Sequence, residues 1–399
     1  MRIGIDCRAI LNPERGEAGG VGHYVYQLVR HLLEIDKKNE YTLFFDQRIK
    51  KSKLKKFSRD NVKISFYPFF LYSKFVLTPI SHHLFDALVQ KEKLDVLHFP
   101  LLAHCPSRFN VKTVLSVHDL SLLRLPNFFS KHEVEREKNK LSCLLPLVDR
   151  IIAVSESTKN DIVDLFKISP EKIKVVYHGL DERFFKKSNP AEIKEVKKRY
   201  KIKNNYIFFL SPLETRKNVC RLIQAFDKVK EEIKNNPNKF SNVLRGDQDL
   251  QLVLTGKMQS ASQKIRHKIY QSPYKKDIIL TDYAKPEDLN ALFDGAKIFV
   301  FPSLYEGFGL PLIEAMAKGV PIITSNLSSM PEIAGDNNAI FINPYRIEEI
   351  AQAIIDLLLN HDLRKKIIEG AARRAKEFKW EKTARETLLV YEGLANENP

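Results

Sequence analysis

Short apolar runs, each too brief to be a helix, recur along this chain with helical stretches between them. They do so in two successive series. The first comprises Arg2–Cys7, Tyr41–Phe45, Val62–Phe66, Asp95–Phe99, Thr113–Val117, Arg150–Val154 and Lys174–Tyr177. The second comprises Tyr206–Leu210, Leu250–Leu254, Asp277–Leu280, Ile298–Phe301, Val320–Thr324 and Ala339–Ile342. Strands alternating with helices imply parallel sheets, because a parallel pair needs a crossover long enough to hold a helix. Sheets covered on both faces read as continuous apolar runs rather than alternating ones, and these runs do. A chain of 399 residues also exceeds what one hydrophobic core supports. The pattern therefore predicts an α/β protein with two Rossmann-like, doubly wound domains facing across a cleft between the carboxyl ends of their strands.

The series break at Phe184-Phe-Lys-Lys-Ser-Asn-Pro190, where composition turns basic and polar. A linker there divides the chain into residues 1–185 and 186–376. A last helix, roughly Glu377 to Ala395 with the only tryptophan at Trp380, packs back onto the first domain. The polar insertion Asn235 to Gln248 reads as a surface loop.

Composition narrows the function by exclusion. No internal repeat is present, and no apolar run is long enough to span a bilayer. The opening strand Met1 to Asp6 lacks the apolar core of a signal peptide. Cys7, Cys105, Cys143 and Cys220 are scattered without CxxC spacing, which indicates neither a zinc site nor a disulfide framework. A reducing cytoplasm is the simplest location. The net charge of +16 suits anionic substrates, an anionic membrane surface or nucleic acid. Zinc-finger spacing and aromatic-interleaved nucleic-acid signatures are missing, so nucleic acid is the weakest of the three. A lysine-rich genome would give the same charge with no functional meaning.

The most informative stretch is Ile298 to Ala317. A buried strand breaks at Pro302, the loop Glu306-Gly-Phe-Gly309 follows, and a helix begins with Pro311 in its first turn, where the missing N–H costs nothing. Gly319 and Pro321 end that helix. Strand, glycine loop and helix N-terminus together make an anion cradle. Glu306 and Glu314 flank it, no more than ~12 Å apart at helical rise. An anion site between two carboxylates suits a ligand with a charged middle and hydroxyl-rich ends, as a nucleotide sugar has. In the same half, Ser211-Pro-Leu-Glu-Thr-Arg-Lys-Asn218 places Arg216 and Lys217 at a strand's carboxyl edge. An arginine fork and a mobile lysine charge both suit phosphate oxygens. Taken alone, such a pair is more often an exposed basic loop; the nearby cradle tips the balance.

Other candidates are weaker. Gly19-Gly20-Val21-Gly22 precedes the helix Tyr24–Leu33 but fails as a dinucleotide fingerprint, since Val25 occupies the third glycine position. His118-Asp119 ends a strand on the ligand-binding edge, where a histidine positions or polarises a hydroxyl; most strand-end histidines are structural. Asp247-Gln-Asp249 resembles an acidic metal pair but precedes a strand, so it reads as solvated loop. No metal site is expected. Arg48 to Phe75 runs from a lysine-rich segment into Phe66-Tyr-Pro-Phe-Phe-Leu-Tyr-Ser-Lys-Phe75. Cations beside aromatics suit the headgroups of an anionic membrane, and a solvated helix beside an ordinary strand explains them equally well.

Glu306-Gly-Phe-Gly-Leu-Pro-Leu-Ile-Glu314 resembles the paired-glutamate motif of retaining GT-B glycosyltransferases, family four or group 1. Gly19-Gly20-Val21-Gly22, His118-Asp119, Arg216-Lys217-Asn218 and Val320 to Asn326 with Pro331-Glu332 lie in family order. The resemblance implies that Glu306 contacts the donor sugar, and that amides near Phe308 and Gly309, with Leu310 beside them, hold sugar or diphosphate. It assigns Glu314 to the ribose, Arg216 and Lys217 to the diphosphate, and Asp282-Tyr283 to the base. His118 touches the transferring sugar, and Gly20 lines the phosphate or acceptor side. One departure weakens the assignment of Arg216: many relatives carry Gly-Arg where this chain has Ser211 and Pro212.

The resemblance of Gly4-Ile-Asp-Cys-Arg8 and Gly19-Gly-Val-Gly-His-Tyr24 to bacterial mannosyl- and rhamnosyltransferases favours GDP-mannose as donor. The acceptor would be a lipid-linked or growing glycan at the inner membrane face. Transfer would retain configuration without a metal. Two other classes fit the fold: a nucleotide-sugar epimerase or hydrolase, which needs no acceptor, and a non-catalytic polyanion or membrane-surface binder, which would show salt-sensitive binding and no nucleotide-sugar affinity.

Overall fold

A computed structural model describes residues 1–14, 20–67, 79–101, 111–203, 205–244, 249–258 and 263–396, with the side chains of 79–84 left aside. Both predicted series form sheets. The first contains β1 (Arg2–Asp6), β2 (Glu40–Asp46), β3 (Val62–Tyr67), β4 (Val96–Phe99), β5 (Lys112–Val117), β6 (Arg150–Ala153) and β7 (Ile173–Val175) in the order β3-β2-β1-β4-β5-β6-β7. The second contains β8 (Asn205–Leu210), β9 (Leu250–Thr255), β10 (Ile278–Asp282), β11 (Ile298–Phe301), β12 (Ile322–Ser325) and β13 (Ile340–Ile342) in the order β10-β9-β8-β11-β12-β13. Every strand pair is parallel. In each sheet the strand order reverses once, between β1 and β4 and between β8 and β11, and such switch points are where doubly wound sheets take ligands.

Contacts divide the chain into Met1–Gly179 with Lys379–Pro399, and Leu180–Phe378. In the first unit the pleat of β2 sends Leu43 and Phe45 into one apolar cluster and Phe44 into another, so helices cover both faces. The first cluster includes Leu28 and Leu32 from the helix Gly20–Ile35, and Trp380, Tyr391 and Leu394 from the last helix, Trp380–Asn396. A Cβ on Gly179 would lie 2.2 Å from the Trp380 backbone nitrogen, so only glycine lets the two chain segments approach there.

The sequence reading needs amendment in three places. Phe184–Pro190 belongs to the second unit and is not a free linker: Phe184 packs edge-on to Phe293 at 6.2 Å, and Asn189 caps the helix Pro190–Arg199. The insertion after Asn235 is not all surface loop, because a short helix (Pro237–Phe240) buries Phe240, and Leu244 is buried beyond it. Gly20 and Gly22 do not sit in a loop ahead of the helix; Gly20 opens it with a φ of +68° that favours glycine, and Gly22 lies in its first turn. The basic segment Lys51–Phe57 is a 3-10 helix that buries Leu54 and Phe57, while the aromatics from residue 68 onward, with Gly19, Cys105 and Asp247, lie outside the described residues. Among the described residues no disulfide joins Cys7, Cys143 or Cys220, and no helix is long and apolar enough to cross a membrane.

Candidate active site

The loops after β8 and β11 meet at the switch point of the second sheet. Leaving β8, the Ser211 amide donates to Thr255 O (3.0 Å), and the Leu213 amide to Lys257 O (3.0 Å). This course presses backbone against backbone: a Cβ on Gly256, whose φ is +147°, would fall 1.9 Å from Ser211 O. A short 3-10 turn, Thr215–Lys217, then ends at Asn218 in the left-handed region. Asn218 ties the two loops together, its Nδ2 donating to Pro302 O (3.1 Å) and Pro344 O (2.6 Å). The Leu304 amide donates to Arg216 O (2.9 Å).

Those ties bring side chains together that are far apart in sequence. Lys217 Nζ reaches Glu306 Oε1 at 2.5 Å, both groups largely buried. Arg216 donates from Nε to Glu214 Oε2 (3.0 Å) and from Nη1 to Tyr305 O (3.3 Å), with Nη1 3.9 Å from Glu306 Oε2. Burial pushes the Lys217 ammonium below its ordinary pKa, and the Glu306 carboxylate pulls it back up. The Glu306 backbone is held as well: its amide donates to Ser328 Oγ (2.9 Å), and the single proton of Ser329 Oγ, fully buried, is shared between Glu306 O (3.0 Å) and Phe308 O (3.1 Å).

The cradle itself runs from β11 through a buried loop into the helix Leu310–Lys318. Gly309 stands at its N-cap with φ +93°, and a Cβ there would meet nothing closer than 3.7 Å, so the glycine serves backbone conformation rather than space. Phe308 is buried, edge-on to Phe378 at 5.8 Å. Leu310 and Glu314 are half-buried on that helix. Asp282 and Tyr283 lie at the end of β10, two strands from β8: Asp282 is left-handed (φ +52°) with its carbonyl accepting from the Gly256 amide (2.8 Å), and Tyr283 is exposed.

In the first unit His118 follows β5. Its Nε2 donates to Pro100 O (2.8 Å), an atom that can only accept, so Nδ1 is left as the acceptor of a neutral ring. Burial lowers the His118 pKa and keeps that neutral form. Tyr24 stands edge-on to His118 at 4.7 Å, and its hydroxyl lies 3.1 Å from Ser116 Oγ. Among the described residues no group of three His, Cys, Asp or Glu side chains is arranged to hold a metal; Asp249 instead accepts from Asn205 Nδ2 (2.9 Å). The sequence reading missed Glu214, Ser328, Ser329 and Gly256. A carboxylate two positions from an arginine and a Ser-Ser pair after a strand were the available signals.

Solved structures share this architecture. Sucrose-phosphate synthase from Thermosynechococcus elongatus superposes with a TM-score of 0.76 at 17% identity over 98% of both chains. Anabaena HepE in complex with UDP and glucose does so with a TM-score of 0.70 at 16% identity, over 98% of this chain and all of that one. The fold is GT-B, with two parallel-sheet α/β domains. Residues 18–184 match the model described as Glycosyltransferase Family 4, and residues 191–374 the model described as Glycosyl transferases group 1. The chain belongs to this glycosyltransferase family and is an enzyme of that class. It is 28% identical to the O-antigen chain mannosyltransferase B of Escherichia coli over 71% of each chain. It is 29% identical to the Escherichia coli serotype-specific mannosyltransferase WbdA over 71% of this chain and 33% of that longer one. The MMP alpha-(1->4)-mannosyltransferase of Mycolicibacterium hassiacum is 30% identical over 61% of this chain and 54% of its own.

Proposed function

We propose that this enzyme moves a hexose, mannose from GDP-mannose in the first instance, to a lipid-linked or growing glycan with retention of configuration and without a metal. The observation that carries the reading is the buried contact of Lys217 with Glu306 at the mouth of the Gly307–Gly309 loop, at the sheet's switch point. It joins a phosphate-binding cation to a hydroxyl-binding carboxylate, the two groups a nucleotide-diphosphate sugar needs side by side. The mannosyltransferase names of the relatives support the choice of sugar. The UDP ligands of the HepE complexes support a nucleotide donor and leave the base as part of the proposal.

In this mechanism Glu306 binds the sugar hydroxyls, and Glu314 the ribose. Amides at Phe308 and Gly309, beside Leu310, hold the sugar or diphosphate, and Asp282-Tyr283 lies against the base. The bond from the anomeric carbon to the β-phosphate oxygen breaks while the acceptor oxygen attacks from the same face. The acceptor proton passes to the leaving phosphate. Arg216, Lys217 and the helix N-terminus stabilise the charge that grows on that phosphate, the task a metal performs elsewhere. His118 is assigned to the transferring sugar through Nδ1, and Gly20 to the phosphate or acceptor side. The lysine-rich 3-10 helix Lys51–Phe57 of the first unit is assigned to an anionic membrane at the cytoplasmic face, where a lipid-linked acceptor would be presented.

A panel of nucleotide sugars, GDP-mannose and UDP-glucose among them, tests the reading by thermal stabilisation and slow donor hydrolysis. GDP-mannose should give the largest shift. A panel in which no nucleotide sugar stabilises the protein refutes it.

A further inference from the structure

The cations after β8 are not bare positive charge. Lys217 is 2.5 Å from Glu306, Arg216 is 3.0 Å from Glu214, and Arg216 Nη1 stands 3.9 Å from the second Glu306 oxygen. Within this cluster two cations face two carboxylates. Side-chain exposure is 5% for Lys217, 11% for Glu306, 16% for Arg216 and 27% for Glu214, so the charges interact where water screens them poorly. A diphosphate arriving here meets a neutral cluster unless the carboxylates give up their partners.

We infer that Glu214 and Glu306 are built-in counter-ions that compete with the donor diphosphate for Arg216 and Lys217, so that the donor binds by exchange of ionic partners. The inference rests on the donor-site reading above and deepens it, adding Glu214 to a site where nothing had given it a role. The physical reason for such counter-ions is desolvation. An ammonium as buried as Lys217 is costly without a nearby negative charge, and Glu306 supplies one before any ligand is present. The same pairing sets an order of events. While Glu306 holds Lys217, its Oε1 is engaged and the carboxylate is turned toward the ammonium, so the sugar hydroxyls meet only part of its acceptor capacity. When phosphate oxygens take Lys217, Glu306 is released toward the sugar. Its backbone stays fixed by Ser328 and Ser329, so the exchange needs only rotation of the carboxylate arm. Diphosphate and sugar recognition are thereby coupled, and reciprocally: phosphate on Lys217 frees Glu306 for the sugar, and sugar on Glu306 frees Lys217 for phosphate. A singly charged anion would displace the carboxylates poorly, which discriminates against fragments of the donor.

The test is isothermal titration of the whole protein with GDP and with UDP, then with GDP-mannose and UDP-glucose, for wild type, Glu214→Gln and Glu306→Gln. Both variants should bind the nucleoside diphosphate tighter, on the order of tenfold or about 1.4 kcal/mol. Glu214→Gln should show the same gain with the nucleotide sugar, and Glu306→Gln should lose it, because a neutral amide offers the sugar hydroxyls one weaker acceptor oxygen in place of two charged ones. Glu214 is the more exposed of the two, so its variant carries the test even if Glu306→Gln melts early. Unchanged or weaker nucleotide binding in Glu214→Gln, against a wild type that does bind, overturns the inference and leaves the donor-site reading standing. Tightening in Glu214→Gln alone overturns the exchange at Glu306. A wild type that binds neither GDP nor UDP overturns the donor-site reading and the inference with it.

Discussion

Acid should loosen the first unit through a histidine that cannot accept a proton while folded. His98 on β4 is fully buried, its Nδ1 2.6 Å from the Tyr391 hydroxyl and its Nε2 2.8 Å from Ser116 Oγ. Burial first, and then the neighbouring His118, lower its pKa from the ordinary 6.5 to about 3. Tyr391 does not offset this, because burial raises its own pKa and keeps the hydroxyl neutral. For a base whose pKa is lower in the folded state, the unfolded chain takes up the proton first. Stability is therefore full above pH 6.5 and is lost as pH falls from there toward 3. At 1.36 kcal/mol for each unit of separation, His98 alone removes about 2 kcal/mol by pH 5. In urea that moves the midpoint by roughly 1 M at a slope of ~2 kcal/mol/M. His118 and His178, both lowered by burial, act in the same direction. The assay is intrinsic fluorescence: the single tryptophan, Trp380, is buried in the first unit and reports its unfolding. His98→Gln removes this titration, so the difference in unfolding free energy between wild type and variant should narrow by about 2 kcal/mol between pH 7.5 and pH 5. A difference that stays constant across that range would refute the reasoning.

Glu306→Ala and Lys217→Ala should each abolish glycosyl transfer and cost about 3 kcal/mol, since each strands the other half of a buried pair; far-UV circular dichroism should still show a folded chain. Full transfer by either variant sinks the site assignment. A strong chelator should leave turnover intact, and complete loss that returns on adding a divalent ion would disprove a metal-free reaction. Gly256→Ala should destabilise the second unit by about 3 kcal/mol or more, because the new methyl group meets Ser211 O and the backbone conformation disfavours any side chain. A melting temperature equal to that of wild type would show that the β8 and β9 loops separate freely.

The two series of strands were legible because strands buried on both faces are apolar almost throughout, as β11 is from Ile298 to Phe301. Segments whose burial depends on distant partners were not. Phe184 reads as part of a basic linker until Phe293 is known to lie against it, and Phe240 as part of a polar loop until its burial is seen. The site shows the same division. Each of Arg216, Lys217, Glu306 and Gly309 is recognisable where it stands, at the end of a strand or the start of a helix. Their pairing is not, because Lys217 and Glu306 are 89 residues apart and each looks solvent-facing in its own loop. What joins them is the strand order. Apolar runs give the number of strands but not which strand lies beside which. Once β8 and β11 are neighbours, the loops that leave their carboxyl ends must share one edge, and Asn218 fixes them there by donating to Pro302 O. Glu214 then ceases to be an acidic residue on a loop. Its pairing with Arg216, two positions away in the same loop, is local, whereas the pairing of Lys217 with Glu306, which completes the neutral cluster, is a consequence of topology that no local pattern displays.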